Sequence, residues 1–418
     1  MFAAFSTALS ALTADSAAID VTGNNLANLD TTGFKSSQVE FSDLMSQTLG
    51  VGANSGQIGL GVGQLQTNTN YSQGTLTVTN GALDAAVQGN GFFVVTDPTT
   101  NQQLYTRDGS FQLTSNGTLE TSTGQLVQGW SAVNGTVNAN GPVGNITIPT
   151  GSVTPAKATG TMSAAINLNS QATVGDSDAT YSVPIQVYDS QGASHTLTAT
   201  FTETATNTWN YSVTIPAADL KTGGTTTLAT GTMTFDGNGN LLTPASTAPP
   251  VSVKIAGLAD GASDQTISWN LFDSTGSSLV SQYAQTSGES NPQQDGYAAG
   301  QVTSVGISNG GLLVATYSNG QQSTVGQLAM ASIANPNSLL SVGDNNLQAS
   351  ASTSAVALGA ANTAGNGQIV GGSLEGSTAD MATQFTNLLT YERSYQAASR
   401  VITTADQLLQ ETVDLIHP

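Results

Sequence analysis

The chain has 418 residues, enough for two or three domains, and a formal charge of −20 from 27 acidic and 7 basic side chains. That balance argues against nucleic acid and anionic membrane surfaces as partners, because both are recognised through Lys/Arg patches. The absence of Cys excludes disulfide scaffolds, thiol catalysis and Cys-based zinc sites, while 46 Gly among many Thr, Ser and Asn point to short strands joined by turns.

The first twenty residues, MFAAFSTALSALTADSAAID, are apolar but lack a basic start and carry Asp15 and Asp20, unlike a cleaved signal peptide. No run is long and apolar enough to cross a membrane. Phe5, Leu12, Ile19 and Leu26 recur every seventh residue, with Phe2 and Leu9 at the complementary positions. This spacing predicts a helix with a coiled-coil seam, running through Gly23 and ending near Asn28.

The next stretch looks like the end of a phosphate loop, Gly33-Phe34-Lys35-Ser36. Phe34 separates the glycine from the lysine, the upstream glycine is ten residues away, and a helix rather than a buried strand precedes it. A joint is the better reading. Asn24, Asn25 and Asn28 end the helix, and Gly33 is free to take a positive φ in the turn. Phe34 anchors the emerging chain to the body. Lys35 is the only cation in the first hundred residues.

Residues 29–71 and 361–370 are read as connecting segments. A split β domain is assigned to 72–148 and 286–360, with Asn90-Gly91 between apolar runs as a hairpin signal, followed by Asp108-Gly109, Asn116-Gly117, Asn309-Gly310 and Asn319-Gly320. Between its halves, 149–285 forms an inserted outer β domain. There Tyr181, Val183, Ile185 and Val187 alternate, as do Leu197, Ala199 and Phe201, then Trp209, Tyr211, Val213 and Ile215. Val251, Val253 and Ile255 follow, then Ile267, Trp269 and Leu271. Such alternation marks half-buried antiparallel strands.

At the C-terminus Leu374, Met381, Leu388, Tyr395, Ile402, Leu409 and Ile416 form an unbroken seven-residue series, with Tyr391, Ala398 and Ala405 at the partner positions. A helix over this span would extend roughly 65 Å. Residues 1–28 and 371–418 are therefore expected to pair, which nests the β domains between them. The fold class is mainly β with long terminal α-helices, the β domains discontinuous on a coiled-coil stalk. A two-helix stalk alone buries little surface, so the ends are expected to order only on assembly.

No catalytic constellation emerges. His195 lies in a strand pattern without a nucleophile-elbow motif and reads as a surface histidine. The stretch from Asp236 to Asn240 starts like a calcium loop, but Leu241 and Thr247 stand where Gly and the bidentate acid are needed, so a β-turn between Phe235 and Leu241 explains it better. Asp260 and Asp264 sit in turn-rich sequence with no partner base. No enzyme, cofactor or metal site is assigned.

Four stretches then resemble the axial proteins of the bacterial flagellum, and among them the hook family. They are FSTALSALTADSAAIDVTGNNLANLDTTGFK (5–35), LDAAVQGNGFFVV (83–95) with YTRDGSF (105–111), DGYAAGQVTSVGISNGGLLVATYSNGQ (295–321) and the segment from Gly371 to Ile416. Ser377-Thr378-Ala379-Asp380 departs from the family's Ser-Asn-Val-Asp. The resemblance implies a structural subunit of a curved, flexible helical tube, a universal joint that transmits torque from rod to filament. It implies a homopolymer whose inner tube packs through Phe5, Leu9, Leu12, Ile19, Leu26, Met381, Leu388, Tyr391, Tyr395, Ala398, Ile402, Leu409 and Ile416. It also implies the distal rod protein, the hook-cap protein, the hook–filament junction protein and the flagellar type III export apparatus as partners, no nucleic acid or membrane insertion, and an extracellular place in the hook. The alternatives are a distal rod protein and a secreted β-rich adhesin or glycan-binding protein.

Overall fold

The chain is mainly β, with one long helix at each end. The structure, a computed structural model, describes residues 2–44, 47–49, 56–149, 151 and 153–416. Helix α1 spans Phe2–Ala27 and helix α2 spans Met381–Ile416. Both helices are formed in the single chain, contrary to the expectation that they order only on assembly. Helix α1 passes through Gly23 without a break. Helix α2 starts at Asp380, whose Oδ1 accepts a 2.8 Å hydrogen bond from the Thr383 N–H and so caps its first turn.

The chain divides into two compact units. The first holds residues 1–150, 304–315 and 322–418. Its outgoing and returning legs interleave strand by strand, which explains why both ends reach the same place. Ala85–Gln88 pairs with Gln368–Gly371, Leu76–Val78 with Ser373–Glu375, and Phe92–Thr96 with Met330–Ser332. Phe92, Val94, Tyr105, Trp130, Ala329 and Ala331 are buried in one of its cores.

Three expectations change here. Leu374 lies in the strand Ser373–Glu375, opposite Thr77, so the helical series begins only at Met381. The strands flanking Asn90-Gly91 do not form a hairpin. Ala85–Gln88 pairs with the returning chain, while Phe92–Thr96 pairs with Gln103–Thr106 and Leu126–Val133. Asp108-Gly109 is likewise a corner: a Cβ on Gly109 would collide with the Ala85 carbonyl oxygen, which its own backbone approaches. Asn116-Gly117 does turn a hairpin, between Phe111–Leu113 and Leu119–Thr121. The 29–71 connector contains its own ladder, Ser37–Glu40 against Gln66–Thr69.

The second unit holds residues 151–303 and 316–321. One sheet is an antiparallel meander of Thr180–Tyr188, Ser194–Ala205, Thr208–Thr214, Thr227–Phe235 and Leu241–Thr243. The other runs Val251–Ile255, Gln265–Asn270, Thr161–Asn169, Val280–Tyr283. Gly288–Gln294 also pairs with Thr161–Asn169, so this sheet continues past residue 285, where alternation in the sequence faded. Thr161–Asn169 lies parallel to Gln265–Asn270 and to Val280–Tyr283, a departure from the all-antiparallel expectation. The inward faces share one core, where Trp269 meets Phe201 and Tyr211 edge-on at ring-centroid distances of 6.1 and 5.6 Å. The turn at Asp236 joins strands paired at Phe235 and Leu241, and the Asp236 Oδ1 accepts the N–H groups of Asn238 and Asn240.

Candidate functional site: the helix seam and its joint

The two helices run antiparallel, the end of α1 meeting the start of α2 where the Asn25 Nδ2 donates to the Gln384 Oε1 at 3.1 Å. On α1 the buried residues are Ala8, Ala14, Asp15, Ala18, Thr22 and Asn25. Ala8, Asp15 and Thr22 are seven apart, as are Ala18 and Asn25. The spacing is that of one helix face made of small and polar side chains, on which Asn25 meets α2.

The apolar series predicted from sequence occupies the neighbouring stripe. Leu12, Ile19 and Leu26 are half-buried, whereas Phe5 is 39% and Leu9 48% exposed. On α2, Leu388, Tyr391, Ala398, Ile402 and Leu409 are half-buried and Ala405 is buried, while Met381 and Tyr395 are exposed. Phe385, Leu389, Val401 and Leu408 stand out on other faces. The Ile416 side chain lies outside the described residues. Asp15 is the anomaly in the seam: its Oδ2 is buried with no hydrogen-bond partner. Among the described residues no helix is long and apolar enough to cross a membrane.

Below the seam the chain turns through the joint. The Asn28 Nδ2 donates to the Asn24 carbonyl oxygen at 2.9 Å, and the Asn28 Oδ1 accepts from the Thr31 hydroxyl at 3.0 Å. Asn25 is buried and binds the Ser37 backbone in both directions, donating to its oxygen at 2.7 Å and accepting from its N–H at 2.9 Å. One amide thus fastens the helix end to the strand that leaves it. Gly33 has φ +69°, and a Cβ there would lie 2.6 Å from the Arg107 carbonyl carbon. Its N–H donates to the Glu375 carbonyl oxygen at 2.7 Å. Phe34 is half-buried, and its carbonyl oxygen accepts the Thr378 N–H at 3.0 Å. Thr378, which departs from the family pattern, accepts the Ser36 N–H on its hydroxyl at 2.8 Å.

Lys35 belongs to a buried charge cluster. Its Nζ lies 2.7 Å from the Glu375 Oε1, and the Arg107 Nη1 lies 3.0 Å from the Glu375 Oε2. The Glu375 side chain is fully buried. Backbone groups complete the set. The Lys35 Nζ donates to the Ser72 carbonyl oxygen, the Arg107 Nη2 to the Gly89 carbonyl oxygen, and the Gly74 N–H to the Glu375 Oε1. Arg107 also sits over the Phe92 ring, 5.2 Å from its centroid. Burial pulls the Lys35 ammonium below its ordinary pKa, and the hydrogen bond to Glu375 opposes that shift. A cavity of about 210 Å³ opens beside the cluster, walled by Asn24, Phe34, Lys35, Tyr71, Arg107 and Asn345.

Sequence reasoning placed Lys35 at the joint but missed Arg107 and Glu375. A signal was available: in a chain with seven basic residues, an arginine inside YTRDGSF is costly to bury without an acid. His195 is also placed differently from expectation. It is buried rather than at a surface, and Asp260, expected to lack a partner, has its Oδ2 3.6 Å from the His195 Nε2.

The helix pair thus leaves several large apolar side chains exposed. Four family models match this chain: flagella basal body rod protein over 5–35, flagellar hook protein FlgE/F/G D1 domain over 86–173, flagellar basal body protein FlaE D2 domain over 161–297, and flagellar basal body rod FlgEFG protein C-terminal over 370–415. Together they define the rod-and-hook class of flagellar axial proteins. Full-length relatives narrow this further. The flagellar hook protein FlgE of Salmonella typhimurium is 33% identical over 98% of this chain and 99% of its own length. That of Treponema pallidum is 31% identical over 95% and 96%, and that of Escherichia coli 32% over 99% and 100%. The chain belongs to the flagellar hook protein family.

Proposed function

We propose that this chain polymerises through its terminal helices into the flagellar hook, a curved helical tube that works as a universal joint between rod and filament. The observation that carries this is the set of large apolar side chains left exposed on the helix pair. Phe5, Leu9, Phe385, Leu389 and Leu408 are exposed, while Ala8, Ala14 and Ala18 of α1 are buried. Large apolar side chains exposed in this number favour association. In a helical tube each surface meets a different surface on the next copy, so two distinct faces are needed. The inner stripe closes the subunit, and the outer stripe, with Met381 and Tyr395, packs against neighbours.

The buried cluster of Lys35, Arg107 and Glu375, with Asn25 above it, holds the helix pair to its β body as torque passes through. The polar outer faces of the inserted unit suit wet contacts that exchange at modest cost, so bending proceeds by sliding there. The role is structural and not catalytic. The partners are further copies of this chain, the distal rod protein below, the hook-cap protein at the growing tip and the hook–filament junction protein above. The route is the flagellar type III apparatus, to an extracellular place in the hook.

Negative-stain microscopy of the purified, polymerised chain tests this. A curved tube is expected. A straight rod supports the distal-rod reading, and a chain that stays monomeric under polymerising conditions supports a secreted adhesin.

A further inference from the structure

The inserted unit holds a second cluster of titratable side chains. Asp189 sits in the turn between Thr180–Tyr188 and Ser194–Ala205, and His195 is the second residue of the latter strand. Asp219 closes the short 3-10 turn Ala217–Asp219, and Asp260 lies in the loop between Val251–Ile255 and Gln265–Asn270. The cluster therefore joins loops from both sheets of this unit.

Each ring nitrogen of His195 has one carboxylate oxygen within hydrogen-bond range, and a third carboxylate stands just outside it. The His195 Nδ1 lies 3.1 Å from the Asp219 Oδ2. On the other side the Nε2 faces two carboxylate oxygens, the Asp189 Oδ2 at 3.3 Å and the Asp260 Oδ2 at 3.6 Å. A hydrogen bond from the Nε2–H to Asp189 accounts for the first contact but not for Asp260, since 3.6 Å is beyond hydrogen-bond range. Each carboxylate has its other oxygen fixed by backbone. The Asp189 Oδ1 accepts from the Gln191 and Ala193 N–H groups at 2.8 and 2.9 Å, and the Asp260 Oδ1 accepts from the Ala262 N–H at 2.9 Å. The Oδ2 atoms are left to converge on the imidazole, and the Asp189 side chain is fully buried.

The separations match another arrangement. Zinc bonds of about 2.0–2.1 Å to nitrogen and oxygen in a tetrahedron set ligand atoms roughly 3.3–3.4 Å apart. The candidate ligand atoms of Asp189, His195 and Asp260 all lie within 4.8 Å of one another. Asp219 then fills a familiar role, a carboxylate holding the non-ligating N–H of a metal-bound histidine and fixing its tautomer. Charge points the same way: three carboxylates around one imidazole leave an excess of negative charge in a largely buried place, which a divalent cation neutralises.

We propose that Asp189, His195 and Asp260 bind a zinc-class divalent cation, with Asp219 orienting His195 and one coordination position open toward solvent beside the exposed Asp260. The bound ion pins the loops of the two sheets together at one end of the inserted unit. An all-oxygen cation such as Ca²⁺, which takes six to eight ligands, fits the donor set less well.

Titration calorimetry of the full chain with Zn²⁺ tests this, after chelation and in parallel with Ca²⁺. One equivalent of Zn²⁺ is expected to bind, raising the melting temperature. Asp260→Asn should weaken binding at least tenfold, and Asp219→Asn about 10–100-fold. His417→Ala, which removes the only other histidine, should leave it unchanged. Circular dichroism of each ion-free variant confirms folding. If His195→Gln unfolds, Asp260→Asn in its exposed loop decides the matter alone. No stoichiometric Zn²⁺ binding by the native chain, or binding unaffected by Asp260→Asn, overturns the proposal.

Discussion

The inserted β unit and the helix pair solve burial in opposite ways. In the inserted unit the largest side chains are the most hidden: Trp209, Trp269 and Phe201 are fully buried in one core. On helix α1 the buried side chains are small or polar and the large apolar ones are half-buried or exposed, with Ala18 fully buried and Leu9 half in solvent. A unit whose bulkiest groups are inside is complete as a monomer. A helix pair whose bulkiest groups are outside is completed by something else, which in a hook family is the next copy.

Perturbing each region should show this contrast. The largest effect on stability is expected from Trp269→Ala, which removes the ring shared by both sheets and should destabilise the inserted unit by about 3–5 kcal/mol. Chemical denaturation followed by tryptophan fluorescence reads that loss, and terminal helicity should be unchanged. Glu375→Gln comes next: it leaves Lys35 and Arg107 buried without their anion and should cost about 3–5 kcal/mol, felt in the first unit only. Proteolysis at the joint should accelerate, whereas an unchanged cleavage rate would show the cluster to be dispensable. Ala18→Leu is the smallest of the three. It overfills the close seam, at a cost of about 1–3 kcal/mol, and should lower monomer helicity before it touches the β units. If Ala18→Leu instead stabilises the helices, the seam is looser than described.

The contrast also explains what was legible in the sequence. Period-2 alternation found five strands of the inserted unit because one face of each is buried and the other wet. Thr161–Asn169 carried the same signal in Met162, Ala164, Ile166 and Leu168, all buried, and was passed over because its intervening residues are small. Its parallel pairing could not be read locally, since pairing direction depends on distant partners. Dipeptide turn signals failed at Asn90-Gly91 and Asp108-Gly109 for a related reason: local chemistry specifies a bend, but the returning chain decides which strands pair. On α2 the seven-residue series and its partner positions are half-buried at Leu388, Tyr391, Ala398, Ile402 and Leu409 and buried at Ala405. On α1 the apolar series is half-buried at Leu12, Ile19 and Leu26, beside a more deeply buried stripe of small and polar residues. At the joint, Asn25, Gly33 and Lys35 stood out by composition, but Glu375 lies 340 positions from Lys35, and only the fold brings them together.

The central claim is that α1 has two stripes with separate duties. Leu9→Asp tests it most directly, because it alters the outer stripe at a half-exposed position without entering the seam. Monomer helicity by circular dichroism and tube formation by electron microscopy should be measured on one preparation. The account predicts native helicity and no tube. Tubes of normal length and curvature formed by Leu9→Asp would contradict it.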